Sequence, residues 1–192
     1  MRHRSWSMTV APLIALALAG CATDVGDAAL GAPAETSAPA GSSASTPTTD
    51  AAALAQAQAW LDAASLPAGA VPARPEVARF SSYTGWVCSP VEKLVAFWAI
   101  PDTTVGEATQ WFIENPTADL VSTAVGPASD DPAIQSATVG YIPAPGSQEG
   151  IVYTVEKIHD GVAVRAEIAA LAEGAVCPTP PGGGVWGAPG QG

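Results

Sequence analysis

The sequence predicts an α+β fold, in which a small single domain with a mainly antiparallel sheet and two helices follows a disordered tether. Three observations predict it. Capping residues precede helical patterns at Asp50 and Thr104. The segment Val91–Ile100 is apolar on both faces, as in a central strand. Two further segments flank the dipeptide Asp160-Gly161, which is typical of a hairpin.

The first helix is predicted from Ala51 to about Ser65. Asp50 is a favourable N-cap, and Pro67 prevents the helix from continuing. The second helix begins at Thr104, whose hydroxyl and the carboxylate of Glu107 have the spacing of a capping box. It ends before Asn115-Pro116.

Apolar runs between loops rich in Gly, Pro and Asp predict the strands of the sheet. The candidates in chain order are Val77–Ser82, Val91–Ile100, Leu120–Val125 and Ile134–Ile142.

The hairpin is predicted from Ile151–His159 and Val162–Ala170, joined by the two-residue turn Asp160-Gly161. This turn pairs His159 with Val162 and gives the hairpin one apolar face. The second face then carries two polar pairs, which are Glu156 with Arg165 and Thr154 with Glu167. We expect solvent on that face.

The N-terminal segment resembles the signal peptide of a bacterial lipoprotein. Arg2 and Arg4 precede an apolar run, which closes on the four-residue lipobox pattern Leu18-Ala19-Gly20-Cys21. The resemblance covers the first 21 residues only. It implies cleavage before Cys21 and a diacylglyceryl group on its thiol, so Cys21 is the predicted lipidation site. We expect an extracytoplasmic protein, lipid-anchored to the plasma membrane.

Two alternatives for this segment remain, a transmembrane helix and a plain secretory signal. As a helix, Met8–Gly20 spans about 20 Å, whereas a bilayer core needs about 30 Å. A plain secretory signal leaves Cys21 unexplained beside the cleavage point.

Composition divides the rest of the chain. After the signal peptide, residues 1–20, come a linker rich in Ala, Ser, Thr and Pro at 21–49, a globular domain at 50–178 and a tail rich in Pro and Gly at 179–192. The linker and tail lack core material and are expected to be disordered. Trp186 stands alone in the tail, and we expect it to pack on the domain or remain free.

The cysteines fit an exported protein. With Cys21 lipidated, Cys88 and Cys177 form an even pair in an oxidising compartment, which predicts a disulfide. Metal ligation is the alternative, but His159 is the only histidine after residue 20 and no Cys-x-x-Cys occurs. We predict no metal site and no cofactor.

The chain is strongly acidic. It carries 18 acidic and seven basic residues, and loss of residues 1–20 removes two bases and no acid, which gives a net charge of −13. This balance argues against nucleic acid as a partner. The expected partners are the membrane, through the lipid anchor, and an envelope protein, a wall polymer or a small solute.

Candidate catalytic groups are few. His159 beside Asp160, the pair Asp130-Asp131, and Glu107 with Glu114 are each explained more simply as turn, surface or capping residues. Trp86 lies near Cys88 and is the candidate ligand-facing residue, although burial under a loop is the simpler interpretation. We therefore expect a non-enzymatic binding or structural module. The alternative is an envelope hydrolase that uses His159 or scattered carboxylates.

Overall fold

The computed structural model describes residues 49–117 and 119–191, which belong to one compact unit. In this part of the chain, two α-helices and a six-stranded antiparallel sheet confirm the predicted α+β class. The predicted signal peptide, the lipidation site Cys21 and the linker lie outside the described residues, apart from Thr49.

The described residues form two α-helices and six strands. The helices are α1 (Ala51–Asp62) and α2 (Val105–Glu114), and the strands are β1 (Val71–Pro72), β2 (Ser89–Pro101), β3 (Val121–Ser122), β4 (Ser136–Ile142), β5 (Gly150–Ile158) and β6 (Gly161–Val176). Their order in the sheet is β1-β2-β6-β5-β4-β3. The long strand β6 is therefore central and pairs with β2 and β5.

The N-cap of α1 also joins the helix to the sheet. One carboxylate oxygen of Asp50 accepts from the backbone N–H groups of Ala52 and Ala53, at 3.0 and 3.1 Å. The other accepts from the backbone N–H of Glu173 in β6 at 2.7 Å. These backbone hydrogen bonds, with that from Glu173 the strongest, hold the pKa of Asp50 below its usual value.

The capping box of α2 is confirmed. The backbone N–H of Thr104 donates to the Glu107 carboxylate at 2.9 Å, and the backbone N–H of Glu107 donates to the Thr104 hydroxyl at 3.2 Å. The helix ends at Glu114, as the following Asn115-Pro116 predicts.

Both helices pack on one face of the sheet and enclose the core. Phe112 of α2 is fully buried and stacks on Tyr153 of β5, with ring centroids 4.4 Å apart. The Tyr141 hydroxyl donates to the Phe112 carbonyl. Burial raises the pKa of both Tyr141 and Tyr153.

The hairpin of β5 and β6 forms, but its predicted turn is wrong by one residue. The turn is His159-Asp160, and Ile158 pairs with Gly161. Gly161 adopts a φ of 142° and lies against β2, where a Cβ atom would be 2.1 Å from the Ile100 carbonyl oxygen. Glycine is therefore required in the strand, beyond the turn.

The shifted turn changes the pairing across the hairpin by two residues. The predicted apolar face is kept, because a shift of two preserves the alternation of side chains. The polar pairs change, so that Thr154 faces Arg165 and Val152 faces Glu167. The predicted solvent exposure of this face is wrong, since Thr154, Arg165 and Glu167 are all buried.

Two irregular segments lie against this second face. The predicted strand Val77–Ser82 does not form; Pro75 instead starts a short 3-10 helix, Pro75–Val77, and residues 78–88 continue without a helix or strand. The C-terminal tail, expected to be disordered, also lacks a helix or strand, but its residues bond to the sheet and extend the folded unit beyond Pro178.

The remaining strands are shorter than predicted. The segment Ile134–Ile142 forms β4 from Ser136, and Leu120–Val125 forms only the two-residue strand β3. Beyond β3, the Thr123 N–H still donates to the Gly140 carbonyl at 2.8 Å, but the Thr123 carbonyl accepts from the Gln191 side chain.

Candidate functional site

The buried polar face of the hairpin is centred on Arg165 of β6. Its side chain is 1% exposed and forms an ion pair with Glu167, with Nη2 and Oε2 2.7 Å apart. Nη2 also donates to the Thr154 hydroxyl at 3.2 Å and to the Ser82 carbonyl. Removing one partner of such a buried pair costs about 3–5 kcal/mol, so the pair organises this face.

Glu167 connects the pair to the loop at residues 82–88. Its carboxylate accepts from the backbone N–H of Thr84 at 3.1 Å and from the Thr84 hydroxyl at 3.1 Å. Arg165 binds the same loop through Ser82. The ion pair therefore holds in place a segment that has no strand or helix of its own.

Two aromatic rings lie over the Arg165 guanidinium. Its central carbon is 4.2 Å from the ring centroid of Tyr83 and 4.8 Å from that of Phe80. Both distances are within the range of cation–π attraction. Tyr83 is 72% exposed, so its ring covers a buried cation while facing solvent.

Two nitrogens of Arg165 have no acceptor. Nε and Nη1 are buried, and neither donates a hydrogen bond to any described residue. A buried donor left unsatisfied costs about 1–3 kcal/mol. The guanidinium therefore retains hydrogen-bonding capacity for an additional acceptor.

The C-terminal tail forms the opposite wall. It is held by four side-chain hydrogen bonds to backbone carbonyl oxygens: from Thr123 to Pro189, from Thr138 to Gly190, from Gln148 to Gly187 and from Gln191 to Thr123. Gly140 of β4 permits this approach, because a Cβ atom there would be 1.9 Å from the Pro189 carbonyl oxygen. The tail lies in direct contact with the strand backbone.

Together the loop, β5, β6 and the tail surround what we call the Arg165 cleft, with a cavity volume of about 410 Å³. Its lining includes Tyr83, Thr84, Arg165, Trp186, Gly187 and Gln191. This volume is within the range of small-molecule sites, about 300–1,000 Å³. The cleft combines two aromatic side chains with a buried, incompletely satisfied donor.

The disulfide joins the two walls of the cleft at their base. Cys88 and Cys177 are bonded as predicted, 89 residues apart in sequence. Cys88 ends the loop that carries Tyr83, and Cys177 lies between the end of β6 and the tail that carries Trp186. The bond therefore fixes one end of each of two segments that lack regular structure.

The aromatic residue singled out from the sequence is not the one that lines the cleft. Trp86 is half-buried beside Cys88, whereas Trp186 of the tail contributes to the lining. The indole N–H of Trp186 donates to the Pro178 carbonyl at 2.6 Å, which ties the ring to the start of the tail. Trp86 remains a prediction without a described role in the cleft.

The other sequence candidates gather at the opposite end of the hairpin. His159, Asp160, Asp130 and Asp131 line a second cleft of about 410 Å³, beside the start of α2. The His159 side chain is 95% exposed and pairs with Asp160. Among the described residues, no cluster of three or more His, Cys, Asp or Glu side chains could hold a metal ion.

Glu107 and Glu114, the candidate carboxylate pair on α2, each accept hydrogen bonds from residues close in sequence. Glu107 is engaged in the capping box, where backbone and side-chain hydrogen bonds from Thr104 lower its pKa. Glu114 accepts from the Gln110 side chain at 2.7 Å. Each carboxylate has a local structural role.

No family model, no curated protein and no solved structure matches this chain. Within the described residues, no helix has the length and apolar character needed to cross a bilayer.

Proposed function

We propose that this protein is an exported, lipid-anchored binding module of the cell envelope, and that its ligand site is the Arg165 cleft. The anchor is Cys21, and the module acts at the outer face of the plasma membrane. The binding role is non-enzymatic.

The lipobox pattern supports the anchor. The disulfide adds to this support, because it pairs Cys88 with Cys177 and leaves Cys21 without a cysteine partner in the same chain. Disulfides persist mainly in oxidising compartments. An odd cysteine that follows a signal-like segment is explained by lipidation.

The arrangement of Arg165 carries the binding proposal. A buried guanidinium with two free nitrogens lines a cleft that also presents Tyr83 and Trp186. Convergent polar groups within an aromatic cleft are typical of binding sites.

The alternative, an envelope hydrolase, has weaker support. It would use His159, whose side chain is almost fully exposed and whose ring nitrogen is engaged by the adjacent Asp160. A general base must be positioned against a nucleophile or a substrate.

The anchor is tested by replacing Cys21 with alanine and fractionating cells that express each form. We expect the unchanged protein in the membrane fraction, labelled by a radioactive fatty acid. The Cys21→Ala variant should lose the label and leave the membrane, whereas the adjacent control Ala22→Ser should behave as the unchanged protein. Full membrane retention of the Cys21→Ala variant would contradict the lipid anchor.

Binding is tested by thermal shift on the oxidised chain from residue 21 to 192 carrying Cys21→Ser. The panel contains oligosaccharides, peptides and divalent ions. A ligand at about 100 times its dissociation constant stabilises the folded state by about 2.7 kcal/mol. We expect Trp186→Ala to weaken binding about tenfold, which lowers the stabilisation at the same ligand concentration to about 1.4 kcal/mol, and the matched control Trp86→Ala to preserve the full shift. A shift of unchanged size in Trp186→Ala would place the ligand elsewhere.

A further inference from the structure

We infer that the ligand of the Arg165 cleft is an uncharged saccharide. Its oxygens would accept hydrogen bonds from Nε and Nη1 of Arg165, and its apolar face would stack on Tyr83 and Trp186. This inference rests on the proposed function and names the ligand class.

Charge favours a neutral ligand. The Arg165 cation is already balanced by Glu167, with Nη2 and Oε2 2.7 Å apart. A carboxylate ligand would place a second anion on this cation, within a chain of net charge −11. A neutral acceptor oxygen satisfies the free nitrogens without adding charge.

The polar groups of the lining suit a ligand rich in hydroxyl groups. Arg165 supplies donors, while Thr84 and Thr154 supply hydroxyl groups beside it. A hydroxyl group both donates and accepts, so it can bond to each of these partners.

The aromatic residues provide surfaces for an apolar face. Tyr83 is 72% exposed, and its ring covers the guanidinium at 4.2 Å. It belongs to an irregular segment, so its ring can move aside without breaking a strand. In the proposed complex, the Tyr83 ring shifts to admit a ligand oxygen to Nε and Nη1 and then stacks on the saccharide.

An extended peptide fits the cleft less well. Peptides that add to a sheet need free backbone partners along an edge. In the tail wall, the carbonyl oxygens of Gly187 and Gly190 already accept from Gln148 and Thr138. The wall therefore offers few backbone acceptors to a peptide.

The test is calorimetric titration of the oxidised chain from residue 21 to 192 carrying Cys21→Ser. The neutral saccharide probes are triacetylchitotriose, maltotriose and arabinotriose. The comparison probes are a capped, uncharged trialanine and the acidic dipeptide Glu-Glu. We expect at least one saccharide to bind with an affinity independent of salt, because no net charge is transferred.

The variants are chosen to leave the buried ion pair intact. Tyr83→Ala and Trp186→Ala should each weaken saccharide binding about tenfold, the effect of losing one aromatic contact. Tyr83→Phe and the control Trp86→Ala should retain the affinity within about twofold.

The outcomes separate the two claims. If no saccharide binds at about 10 mM, the saccharide inference is overturned. If trialanine or Glu-Glu binds instead and both ring variants weaken it, the cleft stands and the saccharide inference fails. If a saccharide binds and neither ring variant weakens it, the Arg165 cleft is overturned as the site.

Discussion

The substitution Gly140→Ala should release the C-terminal tail from the sheet. Gly140 lies in β4, where an added Cβ would be 1.9 Å from the Pro189 carbonyl oxygen and 2.7 Å from the Thr123 hydroxyl. Neither distance is tolerated between non-bonded atoms, so either the strand or the tail must move.

The balance of free energies favours movement of the tail. Its four side-chain hydrogen bonds contribute about 0.5–1.5 kcal/mol each. Ordering the residues from Trp186 to Gln191 costs about 1–2 kcal/mol per residue, which is at least as large as that gain, so these bonds hold the tail only weakly. Moving β4 would instead disrupt its pairing with β5. Alanine is also favoured over glycine within a strand, by about 0.5–1 kcal/mol.

Hydrogen exchange and thermal unfolding measure the outcome. The backbone amides of Ala188 and Gln191, which donate hydrogen bonds within the tail, should lose protection in Gly140→Ala, while β5 and β6 keep theirs and the melting temperature changes by only a few degrees. The control Gly126→Ala has no atom within 4 Å of the added Cβ and should behave as the unchanged protein. If the tail amides stay protected in Gly140→Ala, the close approach of the tail to β4 is refuted.

Three further predictions concern stability. The Cys88–Cys177 bond closes a loop of 89 residues, so its reduction should lower the free energy of unfolding by up to about 4–5 kcal/mol, as measured by unfolding in guanidinium. Equal unfolding midpoints for the oxidised and reduced protein would contradict this. Asp50→Ala should lower the melting temperature at neutral pH. The effect should become smaller as the pH falls through the depressed pKa of Asp50, because a carboxyl group with a lowered pKa stabilises the fold only while it is ionised. An effect that does not change with pH would count against this prediction. Burial raises the pKa of Tyr153, so the folded state should lose stability above about pH 10, and Tyr153→Phe should reduce this loss; identical alkaline profiles would disprove it.

The sequence predicts the helices and long strands because their signals are local. Asp50 and the Thr104 capping box mark helix starts through contacts made within one turn. The pairing of Cys88 with Cys177 follows from counting cysteines and needs no distance. The hairpin turn was misplaced because the requirement for Gly161 comes from β2, which is distant in sequence.

The candidate site is less predictable because its residues come from segments far apart in the chain. The predicted hairpin register places Arg165 and Glu167 in solvent, although they lie inside the apolar run Val162–Ala170. That context was the available signal, since charges within a fully apolar strand are buried and paired. Trp186 carries no comparable signal, because the tail that holds it is fixed by contacts of Pro189 and Gln191 with Gly140 and Thr123, which are distant in sequence.

The most direct test of the ligand site is the NMR signal of the Arg165 Nε–H group during titration with a binding saccharide. We predict a large shift of that signal, together with shifts of the Tyr83 ring and the Trp186 indole. A saccharide that binds but leaves the Arg165 signal unchanged, or shifts residues around His159 and Asp130 instead, would contradict the account.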